Sequence, residues 1–283
     1  LNGRLPATRT VATTFNNYAF VEDVVLVPRT ATPTVVNLNA SGVKVARGPV
    51  ETDQDGARRS TLIIPSAATA QMVLPDGTTQ SITGLTLYQT EYTVGTQVAA
   101  STPAQLPETS APTLCYNFTV QEALSANATV SFSQAIYHYN ENFLNFPVGT
   151  HVPSGWLNEK TGAWVPSDDG RVIRILTVAS GTVTVDANGD GAADAPAALT
   201  ALGFSAEELA QLAQLYPANT TLMRVPLDHF SVWDFNFNDG PPSDAVPPTP
   251  LDRCDDIRRC PCRECKDGSP ADQISSNDQP MPG

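Results

Sequence analysis

Between residues 10 and 185, apolar and polar side chains alternate with a period of two, and β-branched clusters are broken at short intervals by turn residues. Such alternation gives each segment one face for a core and one for solvent, as antiparallel strands require. A first series of strands is predicted at residues 10–15, 19–28, 34–38, 60–64, 70–74, 82–87 and 91–94, with Pro75-Asp76-Gly77 as a turn. A second series falls at 114–120, 129–132, 135–139, 152–157, 163–166, 171–178 and 182–185. The segment from Trp156 to Trp164 reads as a hairpin turning at Gly162, with the two tryptophans paired across it and packed in a core. The fold class is mainly β: antiparallel β-sandwich domains with one short helix and an irregular C-terminal tail.

That helix starts at a capping box, Ser205-Ala-Glu-Glu208, continues through Leu209, Leu212 and Leu215, and stops at Pro217. Pro33 and the 103–112 stretch, where prolines recur, mark boundaries. The expected division is 1–33 as the end of an upstream β domain, 34–108 and 109–238 as two β-sandwich regions, and 239–283 as a Pro- and Cys-rich linker or tail.

Composition narrows the function. The formal charge is −13, from 16 Lys plus Arg against 29 Asp plus Glu. Such a field repels phosphate backbones and anionic headgroups, so neither nucleic acid nor membrane insertion is expected. The first ten residues carry neither an initiator Met nor signal-peptide order, so the chain is expected to begin inside a longer precursor. A Thr-, Ala-, Pro- and Val-rich, Lys-poor composition favours a secreted or bacterial cell-surface protein.

With three histidines and no Gly-x-Ser-x-Gly elbow, hydrolysis of an external substrate is not expected. The sharpest local motif is Asp186-Ala-Asn188-Gly-Asp190-Gly191-Ala192-Ala-Asp194. Oxygen ligands at loop positions 1, 3, 5 and 9, the Ala192 carbonyl at 7 and Gly at 6 reproduce an EF-hand-type Ca²⁺ loop. Position 12 is Ala197 instead of Glu, and Glu207 or Glu208 is the candidate substitute. The competing reading is an Asp/Gly-rich turn that needs no metal. Cys254, Cys260, Cys262 and Cys265 have spacing unsuited to a zinc knuckle, so disulfides are preferred to Zn²⁺. Cys115 lies in an alternating strand and reads as a buried free thiol.

In His229-Phe230-Ser231, period-2 alternation places the imidazole and the hydroxyl on one face and Phe230 on the other. That juxtaposition would let His229 act as a base for Ser231, with Asp228 or Asp234 orienting the ring. The competing reading is a core Phe230 flanked by two surface side chains.

Three stretches, 90–95, 142–156 and 162–173, together with 224–234 and 240–248, resemble the pre-repeat region of bacterial RHS/YD-repeat proteins, the teneurin-like and polymorphic-toxin family. Residues 4–28 resemble the last strands of a carboxypeptidase-regulatory-like β domain. The His229-Phe230-Ser231 segment is similar to the self-cleaving serine of ZU/UPA-type sandwiches. The resemblance implies a non-catalytic scaffold or plug whose partners are the rest of its own polypeptide or its cleaved fragments. It also implies maturation by autoproteolysis at Phe230-Ser231. The alternative is a calcium-stabilised, adhesin-like binding module, which would gather Tyr88, Tyr92, Tyr137 and Tyr139 on one open face.

Overall fold

The computed structural model describes residues 3–13, 15–16, 18–106 and 110–237. Short, β-branched segments dominate, and among the described residues they form seventeen strands. The first eight are β1 (Thr34–Asn37), β2 (Lys44–Arg47), β3 (Glu51–Asp53), β4 (Gly56–Arg58), β5 (Thr61–Ile64), β6 (Ala70–Val73), β7 (Thr79–Ile82) and β8 (Gly84–Glu91). After helix α1 (Val98–Ser101) come β9 (Cys115–Val120), α2 (Gln121–Ala126), β10 (Thr129–Glu141), β11 (His151–Val152), β12 (Gly155–Asn158) and β13 (Ala163–Pro166). The chain continues through β14 (Gly170–Ala179), β15 (Thr182–Asp186), α3 (Pro196–Ala201), α4 (Ala206–Leu215), β16 (Thr221–Phe230) and β17 (Val232–Asp234).

The mainly β, antiparallel class holds, with three short helices beyond the one expected among the described residues. The expected helix is α4, and its capping box is complete: Ser205 Oγ accepts from the Glu208 amide while the Glu208 side chain reaches back to the Ser205 amide.

Two sheets face each other. The six-stranded sheet has the order β1-β8-β9-β17-β12-β13, and the nine-stranded sheet follows β11-β14-β16-β10-β5-β2, with β6, β7 and β15 attached beside it. Both sheets draw strands from 34–108 and from 109–238, so the expected boundary near 108 does not separate two sandwiches. The physical reason is β10, whose first half pairs with β6 and whose second half pairs with β5, while β16 lies along its other edge. An irregularity between Ser131 and Ile136 bends this one long strand where the sequence suggested two.

The main core lies between the sheets and includes Leu62, Leu87, Phe118, Val225, Phe230 and Trp233. A second cluster, with Ile63, Tyr139, Ile175, Leu212 and Leu222, sits where α3 and α4 cover the outer face of the nine-stranded sheet. A third, with Leu5, Tyr92, Cys115, Leu157 and Val232, lies on the outer face of the six-stranded sheet. The N-terminal segment supplies its cover: the Leu5 amide donates to the Val27 carbonyl and the Thr8 amide to the Pro103 carbonyl.

Two expectations change here. Among the described residues, 10–13, 15 and 19–28 form no strand. Among the described residues before β1, the one β pairing is the Arg4–Pro28 bridge. Their apolar alternation meets no neighbouring strand, and Phe15 and Phe20 are more than nine-tenths exposed. Trp156 and Trp164 are not opposite each other: Trp156 faces Val165, and Leu157 faces Trp164. This offset of one residue sends them to opposite faces, Trp156 to the main core and Trp164 to the third cluster.

Candidate functional site

β16 belongs to the nine-stranded sheet and β17 to the six-stranded one, so the chain changes sheets at the single intervening residue, Ser231. Phe230 anchors the corner: it is 4% exposed, stacks on Phe118 at 5.8 Å between ring centroids and meets Phe132 edge-on at 4.9 Å. The Phe118 amide donates to the Ser231 carbonyl at 3.0 Å and ties the other side of the corner to β9.

His229 and Ser231 share the opposite face. Asp228 Oδ1 lies 2.6 Å from His229 Nδ1, and His229 Nε2 lies 3.0 Å from Ser231 Oγ. A carboxylate only accepts, so the imidazole carries its proton on Nδ1, and Nε2 is left to accept from the serine hydroxyl. The ring is held edge-on by Trp156 at 4.9 Å, and Trp233 Nε1 donates to the His229 carbonyl at 3.1 Å. Asp228, a neighbour in sequence, is therefore the orienting carboxylate. Asp234 is not: it lies opposite Cys115, and its Oδ1 is buried without a hydrogen-bond partner. Burial pushes the Asp234 carboxyl up to about 8 and raises the Cys115 thiol well above its usual range. Cys115 is the buried free thiol expected.

The other histidines do different work. His138 is buried against Phe235 with Nε2 3.0 Å from Ser60 Oγ, and burial depresses its pKa to about 3. His151 is exposed beside Asp169 and Arg171.

The 186–194 loop closes on itself. Both Asp186 oxygens face backbone amides, Oδ1 those of Asn188 and Gly189 and Oδ2 that of Gly191. The Asn188 side-chain amide donates to Asp194 Oδ1 at 2.8 Å and to Asp190 Oδ2 at 3.3 Å, which draws these two carboxylates towards one point. Among the described residues, no group of three or more His, Cys, Asp or Glu gathers as a metal cluster. The ion pairs of the described residues likewise include none of Asp186, Asp190 and Asp194. A donor set of carboxylate and amide oxygens without a basic partner suits a hard cation. Neither expected substitute at position 12 reaches it: Glu207 accepts from Ser66 Oγ, and Glu208 is bound to Arg224. Glu208 is held there because Arg224 needs a buried counter-charge, and the Leu202 and Gly203 carbonyls accept the remaining Arg224 N–H groups.

Tyr92 and Tyr139 are buried, Tyr88 lies under Arg29, and Tyr137 packs on Arg224. The four tyrosines thus form no open aromatic face. Cys254, Cys260, Cys262 and Cys265 lie outside the described residues. Sequence reasoning missed the buried cluster in which Arg58 donates to both Asp53 oxygens and to Glu91 Oε1. Arg58 holds the Asp53 carboxyl well below the usual carboxylate range. The one available signal was the Arg58-Arg59 pair directly before the strand expected at 60–64.

Among the described residues, no helix is long and apolar enough to cross a membrane. Comparison with protein-family models, with curated proteins and with solved structures returns no match.

Proposed function

We propose that this chain is a non-catalytic β scaffold or plug region of a secreted RHS-type protein that cuts its own backbone once, between Phe230 and Ser231. The observation that carries the self-cleavage reading is the continuous Asp228–His229–Ser231 relay, set at the residue where the strand passes from one sheet to the other. Ser231 Oγ attacks the Phe230 carbonyl carbon as its proton passes to His229 Nε2. The tetrahedral adduct collapses by breaking the Phe230–Ser231 C–N bond, and His229 returns the proton to the leaving amine. An ester joins Phe230 to Ser231 Oγ. Water then hydrolyses it, leaving a Phe230 carboxyl group and a Ser231 residue with a free amine. The reaction is a single turnover on the chain itself and needs no external substrate.

The buried positions of Tyr92 and Tyr139 favour a scaffold over an adhesin-like surface. The partners on this reading are the remainder of its own polypeptide and its cleaved fragments. Asp186, Asn188, Asp190, Asp194 and the Ala192 carbonyl would hold Ca²⁺, which when bound supplies charge neutralisation and stiffens the loop.

Hydroxylamine tests the chemistry, because it cleaves esters much faster than amides. Native protein incubated with hydroxylamine should yield a fragment ending in a Phe230 hydroxamate. Absence of that fragment, with the chain intact throughout, would refute the acyl shift.

A further inference from the structure

Arg47 ends β2, directly across from Thr61 at the start of β5, and Thr61 in turn faces Tyr139 in β10. Residues opposite one another in an antiparallel pair project to the same face, and so do residues two apart along a strand. Arg59 precedes Thr61 by two and Glu141 follows Tyr139 by two, so Arg47, Arg59, Thr61 and Glu141 share the helix-covered face of the nine-stranded sheet. Tyr216, the residue that caps α4, comes down on this group: the Arg47 guanidinium lies 5.8 Å from its ring, and Thr61, Glu141 and Arg59 surround it.

Three of the four donors here are left without acceptors. The Nε atoms of Arg47 and Arg59 are buried with no hydrogen-bond partner, and the Thr61 and Tyr216 hydroxyls, also buried, have only each other, so one of their two protons is unpaired. Thr61 is fully buried and Tyr216 is 5% exposed. The ion pairs of the described residues include neither arginine. Glu141, the one carboxylate present, is turned to the Arg59 backbone, accepting its amide at 2.6 Å. Buried donors without acceptors are costly, and a cluster of them signals an acceptor that comes from elsewhere. Two guanidiniums, each offering an Nε–Nη fork, with a phenolic and an aliphatic hydroxyl beside them, match the several oxygens of a tetrahedral anion.

We propose that Arg47, Arg59, Thr61 and Tyr216 form a binding site for a tetrahedral oxyanion of the phosphate type. Burial raises the Tyr216 hydroxyl to about 12, so it remains a donor at neutral pH. The site is independent of the Phe230–Ser231 peptide and of the 186–194 loop.

Calorimetric titration of the full chain at low ionic strength, with inorganic phosphate in one arm and phenyl phosphate in another, tests the assignment. Saturable binding is expected, weakened about tenfold or more in Arg47→Gln/Arg59→Gln, less in Tyr216→Phe, and reduced by added NaCl. Equal affinity for the two probes makes a free oxyanion the ligand, and tighter phenyl phosphate binding makes it a phosphomonoester. Failure of the wild-type chain to bind either probe at about 10 mM, roughly the weakest range of specific affinity, overturns the proposal. Undiminished binding by the double variant overturns it equally. Melting curves without ligand check that the variants fold, and the wild-type arm stands even if they do not.

Discussion

Gly189 and Val148 approach so closely that a Cβ added at Gly189 would lie 2.3 Å from the Val148 carbonyl oxygen. The contact is reciprocal, since a Cβ at Gly149 would fall 2.6 Å from the Asn188 carbonyl, and both glycines have positive φ. The Asp-rich loop and the Phe146-Pro-Val-Gly149 turn therefore clasp through bare backbone. Gly189→Ala should destabilise the fold by about 2 kcal/mol or more, from left-handed strain plus the clash. Gly191 also has positive φ but open space around it, so Gly191→Ala should cost only about 1 kcal/mol. Urea denaturation of the two variants measures the difference, and equal losses would mean that the clasp contributes nothing.

Calcium should raise the melting temperature of the chain, and EDTA should reverse the rise. A ligand at a hundred times its Kd adds about 2.7 kcal/mol to the folded state. Asp190→Ala and Asp194→Ala should abolish the shift without removing the fold, because both carboxylates lie at the solvent side of the loop. Superimposable melting curves with calcium and with EDTA would leave the loop as a self-capped turn.

Asp234 and His138 give stability opposite pH slopes. Burial raises the Asp234 carboxyl from 3.8 to about 8, so the folded chain holds that proton more tightly than the unfolded chain. This contribution is complete below 3.8 and drains away as pH rises to about 8. His138 is depressed from 6.5 to about 3, so its contribution is present above 6.5 and is lost as pH falls towards 3. Asp234→Asn should therefore be more stable relative to wild type at pH 8.5 than at pH 4.5, by about 1 kcal/mol or more. Denaturant titrations at both pH values check the sign, and a pH-independent difference would contradict it.

Much of this fold is visible in local pattern. The α4 capping box, the Pro75–Gly77 turn with Gly77 at positive φ and the β5, β9 and β15 strands follow from spacing and turn chemistry alone. The β3–β4 hairpin does not, because its anchor is the Arg58–Asp53–Glu91 cluster, and a charged segment reads as loop until its partner 33 residues away is known. Residues 19–28 mislead in the opposite way, since alternation declares a strand whether or not a neighbour exists to pair with it. At the candidate site, the common face of His229 and Ser231 is legible from a period of two. The choice of Asp228 over Asp234 and the packing of Trp156 on the imidazole depend on the sheet crossing, which no local pattern encodes.

Intact mass under denaturing conditions, compared between wild type and Ser231→Ala, bears most directly on the self-cleavage proposal. The wild-type chain should separate into two fragments that meet between Phe230 and Ser231, while native gel filtration still shows one species. Phe230 among Phe118 and Phe132, and β17 between β9 and β12, keep the pieces together after scission. Ser231→Ala should remain whole, and His229→Gln should slow cleavage by a factor of about 100 or more, the usual worth of a positioned base. A full-length mass for both wild type and Ser231→Ala, or the same cut in both, would contradict self-cleavage.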